Sequence, residues 1–456
     1  MRILGTTFFF ALLVIASCPG GAAQAAPATG TFTLQQAVSL ALNESPGHRL
    51  AALDVQAAVV NQRLAKSALL PTLSFSELAS RGNDPVFVFG ARLRQQRFSQ
   101  NDFALNALNR PTPLSNVATR FSGDWVAFDS WKTEFAVRAA AQRAGAIRSA
   151  ATRADQEILH RVVVGYLGVL IAGRQLDVAR HQVDTAQAMV ESSQSRVAAG
   201  LAVDSDLLSA QANLAERQQE EISTEGGLEI AWAELERAEG APIPEESRQI
   251  TGLQPSQLQP LPLSESVHVA IQARPDRQSL EHAAEASHSE MLSARSAFAP
   301  TLRAFGNWEQ DRGSFSGAGG NNWMAGVALS IDLLPAAKRQ QLALARIAEE
   351  RSRVDTQSAD QQIRLEVTQA WFAQQSASRM VQVADAARTQ TAESLRILHN
   401  RYTAGLATIT DLLRGEDAGR QAEAGYWAAV SRSRIAWCDL RFAMGTLNAD
   451  NLGDFE

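Results

Sequence analysis

Small and apolar residues recur in alternating steps of three and four along one stretch, at Val137, Ala140, Ala144, Ile147, Ala151, Ala154 and Ile158. That is the seam of a helix that packs closely on neighbours. The rhythm returns at Leu176, Ala179, Val183, Ala186, Val190, Ser193 and Val197, after steps of four and four through Val162 and Tyr166 that act as a stutter. All 15 prolines fall outside two windows, Leu114–Ala241 and Ala336 to the end. Both windows are therefore expected to be largely helical. An unbroken helix from about Lys132 to Val197, at about 1.5 Å per residue, is roughly 100 Å long. A chain of 456 residues holding such helices is elongated.

Other segments change period. Leu73 and Phe75 alternate with Thr72, Ser74 and Ser76, and Phe121, Trp125 and Ala127 with Arg120, Ser122 and Asp124. Later, Leu302, Ala304 and Trp308 alternate with Thr301, Arg303 and Asn307, while Trp323, Ala325, Val327, Leu329 and Ile331 alternate with Met324, Gly326, Ala328 and Ser330. Four amphipathic strands of this kind, with Trp125, Trp308 and Trp323 as membrane-boundary aromatics, suit tilted strands with one face to lipid and the other to water. Four strands cannot close a barrel, which needs about eight, so several chains must contribute to one.

The chain is duplicated. A shift of 229 carries Leu34 to Leu263, Val38 to Val267, Pro46 to Pro275 and the triplet Pro71, Thr72, Leu73 to Pro300, Thr301, Leu302. Farther on the shift is 205. It carries Tyr166 to Trp371, Arg196 to Arg401, Gly200 to Gly405, Leu201 to Leu406, Asp206 to Asp411, Trp232 to Trp437 and Gly240 to Gly445. The expected organisation is a first repeat over 32–240, a linker over 241–262, a second repeat over 263–447 and a tail over 448–456. Each repeat holds a helix, two strands and a long helical hairpin. Gly200 and Gly405 interrupt the helical windows as left-handed C-caps, with Asp204 and Thr408 near the start of the returning helix. Such turns, at the far end of long hairpins, are exposed docking tips formed by Arg196, Gly200, Leu201 and Asp206 and by Arg401, Gly405 and Leu406.

The opening FTLQQAVSLALNESPGHRLAAL, the PTL before the strands, FDSWK after the second strand and the RYTAGLATITDLL turn resemble the TolC family of outer-membrane efflux proteins. The resemblance runs from about Phe32 to Leu447. It implies a mainly α fold with a small β part: a homotrimer whose chains share one twelve-stranded β-barrel in the outer membrane, continued by an α-helical tunnel through the periplasm. Two unbroken helices, Lys132–Val197 and Ala336–Tyr402, are expected beside shorter ones stacked end to end, Thr33–Leu70 on Asp204–Glu239 and Leu263–Phe298 on Thr408–Met444. The linker is expected in an equatorial belt. The implied partners are a periplasmic adaptor, an inner-membrane pump and outer-membrane lipid. Asp411 falls where the family carries a gate aspartate, while Arg414 stands where the family has a second one. At i, i+3 on a helix Arg414 is placed to pair with Asp411 and partly cancel its charge.

Composition narrows the function further. A formal net charge of -6 argues against nucleic acid as a partner. Arg2, the apolar run Phe8–Ala16 and small residues near Ala25 read as a signal peptide over 1–25, with Cys18 as a competing candidate lipidation site. Beyond that leader no run approaches the roughly 18 apolar residues of a spanning helix. Cys18 and Cys438 build neither a disulfide framework nor a cysteine metal site. The seven histidines include no HExxH, His282 and His288 lie six apart, and all seven read as solvated helix residues. No cofactor, metal or catalytic constellation is expected. Arg92, Arg94 and Arg97 read as a solvated loop face, and Gly313–Gly320 as a flexible external loop. The competing function is a periplasmic coiled-coil adaptor or scaffold, which would carry one hairpin and no amphipathic strands.

Overall fold

The computed structural model describes residues 32–250 and 259–454. The leader with Cys18 and the middle of the linker, 251–258, lie outside the described residues. In chain order the elements are α1 (Leu34–Glu44), α2 (Pro46–Ser67), β1 (Thr72–Gly82), α3 (Pro85–Arg94), α4 (Leu105–Asn109), β2 (Leu114–Phe128), α5 (Lys132–Ala198) and α6 (Asp204–Glu239). They continue with α7 (Leu263–Ala273), α8 (Pro275–Ser296), β3 (Thr301–Arg312), β4 (Gly319–Ser330), α9 (Ala336–Thr403) and α10 (Ile409–Ala443). At 67 and 68 residues, α5 and α9 are each about 100 Å long.

The segments read as single helices, Thr33–Leu70 and Leu263–Phe298, are each broken in two. Pro46 and Pro275 push the residue before them out of the helical region, leaving Ser45 at ψ 126° and Arg274 at ψ 120°. The hairpin helices end against these joints. Gly240 closes α6 at φ +83°, and a β-carbon there would lie 2.9 Å from Pro46. Gly445, just beyond α10 at φ +70°, would meet Arg274 at 2.8 Å. Only glycine permits both the left-handed turn and the close approach.

The central core forms where these joints meet α5 and α9. Leu34, Val38, Val162, Tyr166, Trp232, Leu235 and Leu440 pack together there. The Tyr166 hydroxyl donates to the Phe32 carbonyl at 3.1 Å, and the strand-like contact of Phe32 with Ile250 brings the linker alongside. Among the described residues α5 is the one helix long and apolar enough to cross a membrane. Its apolar centre, Ile158, Val162, Val163 and Leu167, is instead buried in this core.

The histidines differ from the sequence expectation, because four of them bridge helices. His48 reaches Asp155 at 2.7 Å, His160 reaches Asp439 at 2.6 Å, His282 reaches Gln142 and His288 reaches Glu349, each at 2.8 Å. Antiparallel helices this long bring polar faces together, and imidazoles tie them.

The wall has two free sides. In its upper part α2 packs on α5, α5 on α8 and α8 on α9; below that core α6 packs on α5 and α10 on both α5 and α9. The sheet has order β1-β2-β3-β4, all antiparallel. Since β1 follows α2 and β4 precedes α9, each free strand edge stands above a free helix. The free face of α2 carries exposed Leu50, Leu53, Val60 and Leu64. That of α9 carries exposed Leu344, Ile347, Val354, Leu365 and Phe372. Each set falls on the a and d positions of one heptad frame, the pattern of a seam that awaits another helix. One chain is thus a sector of a closed wall.

Glu239, at the end of α6, is fully buried and neither carboxyl oxygen has a hydrogen-bond partner among the described residues. Burial, reinforced by Glu236, pushes its carboxyl up to about 8. The folded chain therefore keeps a proton that the unfolded chain releases above about 4.5, so stability falls as pH rises from there to about 8. Glu239→Gln should remove that loss, so its thermal midpoint should gain on the parent's steadily between pH 5 and pH 8. A constant gap across that range would refute the assignment.

Candidate functional site

The sheet separates two chemistries by its pleat. Residues directly opposite one another point to the same side, so Phe75, Phe121, Trp308 and Trp323 form one lateral row across all four strands. Phe75 and Phe121 touch at 5.1 Å between ring centres, and Phe121 and Trp308 at 5.9 Å. Toward the tunnel the same face continues through Leu73, Trp125, Ala304, Ala325, Val327 and Leu329. In the opposite direction the next row is Glu77, Thr119, Gln310 and Asn321. The aromatic row is therefore the last apolar one. From Leu329 to Trp323 the apolar band spans six residues, about 20 Å along the strand.

The other face is mostly polar, carrying Ser74, Ser76, Ser122, Arg120, Asn307 and Glu309 beside a few apolar side chains such as Phe305 and Met324. Ser74 and Ser122 share a hydrogen bond at 2.9 Å, and Arg120 donates to Glu309 at 2.9 Å. Trp125 stands near the tunnel end of the band, its indole donating to the Leu69 carbonyl at 3.0 Å.

Below it, three exposed apolar side chains that sequence reasoning passed over continue the band at the strand-to-helix junctions: Trp131, Leu333 and Leu334. Trp131 adopts φ +64° after Ser130 at φ +58°. Two consecutive left-handed residues hold the chain where it turns from sheet to α5, and Asp129 caps the helix by accepting from the Thr133 N–H at 2.9 Å. The tryptophan in FDSWK, just past a strand end, was the signal for this junction.

At the far end of α5 and α9 the two hairpin tips are built alike. The Leu201 N–H donates to the Arg196 carbonyl at 2.8 Å and the Gly200 N–H to the Val197 carbonyl at 2.9 Å. Leu406 and Gly405 do the same to Arg401 and Tyr402, at 2.7 and 3.0 Å. This double closure requires a left-handed residue, and Gly200 and Gly405 stand at φ +72° and +73°. Leu201 and Leu406, which in such a turn often fold back on their own helix, are instead 73% and 69% exposed. The tips lie side by side over a small core of Met189, Ala210, Tyr402, Ile409 and Leu412. The Arg196 guanidinium stacks over the Tyr402 ring at 4.8 Å, and Arg401 donates to the Leu406 carbonyl at 3.3 Å.

The repeats differ at one atom that matters. Thr408 and Asp411 form a reciprocal cap: the Thr408 hydroxyl donates to the Asp411 carboxylate at 2.7 Å, the Thr408 N–H donates to it at 3.2 Å, and the Asp411 N–H donates to the threonine oxygen at 3.2 Å. The equivalent residue in the first repeat, Val203, has no side-chain oxygen, so Asp206 lacks this partner. The Thr408 hydroxyl, then its N–H, hold the Asp411 carboxyl below the usual carboxylate range, with Arg414 and Arg401 adding to the pull. Arg414 forms no ion pair among the described residues, so the expected i, i+3 pairing with Asp411 gives way to the cap and Arg414 acts through its charge alone. Two donors on threonine, its hydroxyl and its N–H, satisfy the carboxylate before the longer arginine side chain can.

The family model for "outer membrane efflux protein" matches residues 37–241 and 267–446. The chain belongs to that family. It is 26% identical over 428 residues to the alkaline protease secretion protein AprF of Pseudomonas aeruginosa, covering 91% of this chain and 84% of that one. Two solved structures share the fold. A membrane protein from Pseudomonas aeruginosa superposes with a TM-score of 0.77 at 22% identity, over 90% of this chain and 93% of that one. The Campylobacter jejuni CmeC outer membrane channel superposes with 0.76 at 17% identity, over 92% and 89%. This family member is an outer-membrane exit duct, a homotrimer that works with a periplasmic adaptor and an inner-membrane pump, and it is not an enzyme. The adaptor-or-scaffold alternative falls with that assignment.

The cap yields a prediction with a sign. Thr408→Ala removes both the hydroxyl donor and the cap acceptor, so the Asp411 titration midpoint should move upward, toward an ordinary carboxylate. An NMR pH titration of the Asp411 carboxyl reads this directly. A midpoint unmoved by Thr408→Ala would show that the threonine does not set it.

Proposed function

We propose that this duct takes cargo at the two hairpin tips, holds its lumen entrance under the control of an Asp411 ring and releases cargo through the shared barrel. The observation that carries the reading is the pair of exposed leucines, Leu201 and Leu406, presented on rigid glycine-closed turns at the end of the molecule opposite the sheet. An adaptor can bury both without rearranging the tips. Arg196 and Arg401, Gly200 and Gly405, and Asp206 complete the docking surface by fixing its shape and charge. Likeness to a protein named for protease secretion supports a polypeptide among the cargoes.

In a threefold assembly Asp411 is repeated around the axis, and a ring of carboxylates that stay ionised attracts cations. Arg414, one turn away, reduces the field that ring projects. Trp125 below and Trp308 and Trp323 above bound the apolar band, which supports their placement at the two membrane interfaces, where an indole buries its body and finds a polar partner for its N–H. Cys18 is left to the leader, as a candidate acylation site.

Single-channel recording tests the gate: Asp411→Ala trimers should lose cation selectivity and polyvalent-cation block, while Arg414→Ala trimers should strengthen both. Two variants that conduct like the parent would reject it. Docking is tested separately by Gly405→Val, in which a β-branched residue must occupy a left-handed position. Export should fail while the trimer remains at normal abundance in the outer membrane; unchanged export would reject docking at this tip.

A further inference from the structure

The segment between β1 and β2 was expected to be a solvated loop. It is a folded unit. Asp84 accepts from the Phe87 N–H at 2.8 Å to cap α3, Phe98 packs edge-on against both Phe89 and Phe103, at 4.8 and 5.1 Å, and Arg92 pairs with Asp102. Val88 and Ala91 are buried beneath it. The arginine cluster is thus internal wiring in part, with Arg92 turned into the unit and Arg94 set 3.6 Å from Glu309.

The unit grips one face of the sheet, and it is the polar one. Gln95 donates to the Asn116 side chain at 2.8 Å, and Asn116 donates to Asp311 at 2.7 Å. All three residues are under a tenth exposed, with Asp311 at 0%. The Asn322 amide reaches the Arg94 carbonyl at 3.3 Å. That carbonyl presses so close to β4 that a β-carbon on Gly320 would lie 2.1 Å from it. Asn116, Asp311, Gly320 and Asn322 all project opposite to the row of Phe75 and Trp308.

Helix α3 begins with Phe87 against Gly82, at the end of β1, and finishes against Gly320 on β4. Four strands about 4.8 Å apart are spanned by about 14 Å, and ten helical residues extend about 15 Å. The helix therefore runs crosswise over the inner face of the whole sheet.

The location follows from chemistry. In a barrel whose apolar face meets lipid, the polar face lines the lumen, so a unit attached to the polar face lies inside. Its anchor rows, Glu309 and Asp311, come just beyond the last apolar row, at the outer mouth. Twelve strands at that spacing and about 40° of tilt close a barrel about 24 Å across. Each helix is about 10 Å thick. Three such helices laid as chords leave a bore of a few ångströms to about 10 Å.

We propose that residues 83–113 form an inward-folded collar that narrows the exit and sets the size of what leaves or enters from outside, latched by the chain Gln95–Asn116–Asp311 and by the glycine at 320. This rests on the duct reading, and its test separates the two. Ser122→Cys places a thiol on the polar face below the collar, Leu73→Cys one on the lipid face, and Ser316→Cys one on the exposed β3–β4 turn. Intact cells are treated with a small charged maleimide or with a bulky polymer-linked one.

In the parent background the small reagent should label Ser122→Cys and Ser316→Cys but not Leu73→Cys. The bulky reagent should label Ser122→Cys at least about tenfold more slowly than Ser316→Cys, the factor given by each ~1.4 kcal/mol of added barrier. Gly320→Val, which pushes the Arg94 carbonyl away, and replacement of 86–109 by a short Gly-Ser linker, which needs no such repacking, should each abolish that difference. Equal bulky labelling at both sites in the parent would overturn the collar and leave the duct standing. Failure of the small reagent to reach Ser122→Cys even with the linker in place would overturn both.

Discussion

A peptide group in hydrocarbon has no water to bond, and each one left unpaired costs several kcal/mol. In this chain β1 and β4 both expose a full strand edge, 11 and 12 residues long, in the segment that carries the apolar band. The chain alone cannot satisfy those edges. Everything else is arranged so that another copy can: each free edge continues downward into a helix, α2 or α9, whose outward face carries a heptad row of exposed leucine, isoleucine and valine. Hydrogen bonds close the wall within the membrane, and apolar burial closes it in water. Three sectors of four strands make a barrel of a size whose pleat can still divide lipid from lumen.

Duplication supplies the economy of this plan, and divergence distinguishes its two ends. The two repeats build the same turn at Gly200 and Gly405 and the same close approach at Gly240 and Gly445. They part company at the ends. At the tunnel tip Thr408 caps Asp411 whereas Val203 leaves Asp206 without the same bond. At the barrel mouth the first repeat joins its strands through a folded collar, and the second through the short turn between Arg312 and Gly319. Each end of the molecule thus carries an element that only one repeat possesses.

The pattern of residues told a great deal about the wall and much less about the mouth. Long heptad runs without proline specify long helices whatever surrounds them, and alternating segments after Pro-Thr-Leu specify strands, because both periods are local properties of the backbone. The helix breaks at Ser45 and Arg274 were legible too, since Pro46 and Pro275 announce them, yet the repeat pattern drew attention to continuity instead. The collar was not legible. Its helix is ten residues long, and its place is fixed by Asn116, Asp311 and Gly320 on three different strands, the last two far away in sequence. The pairing of Asp411 with Thr408 rather than Arg414 is a matter of reach, which spacing alone does not rank.

Closure by three chains is the claim on which the lumen, the gate and the collar all depend. Mixed assembly measures it most directly. Asn307 lies on the polar face of β3, an inner strand, so Asn307→Arg adds a charge to the lumen without touching an edge or a seam. When parent and variant chains are co-expressed and single channels are recorded, three chains per pore predict four graded conductance classes, one for each number of variant chains from none to three. Only two classes, those of pure parent and pure variant, would mean that a single chain forms the pore, and would contradict the account.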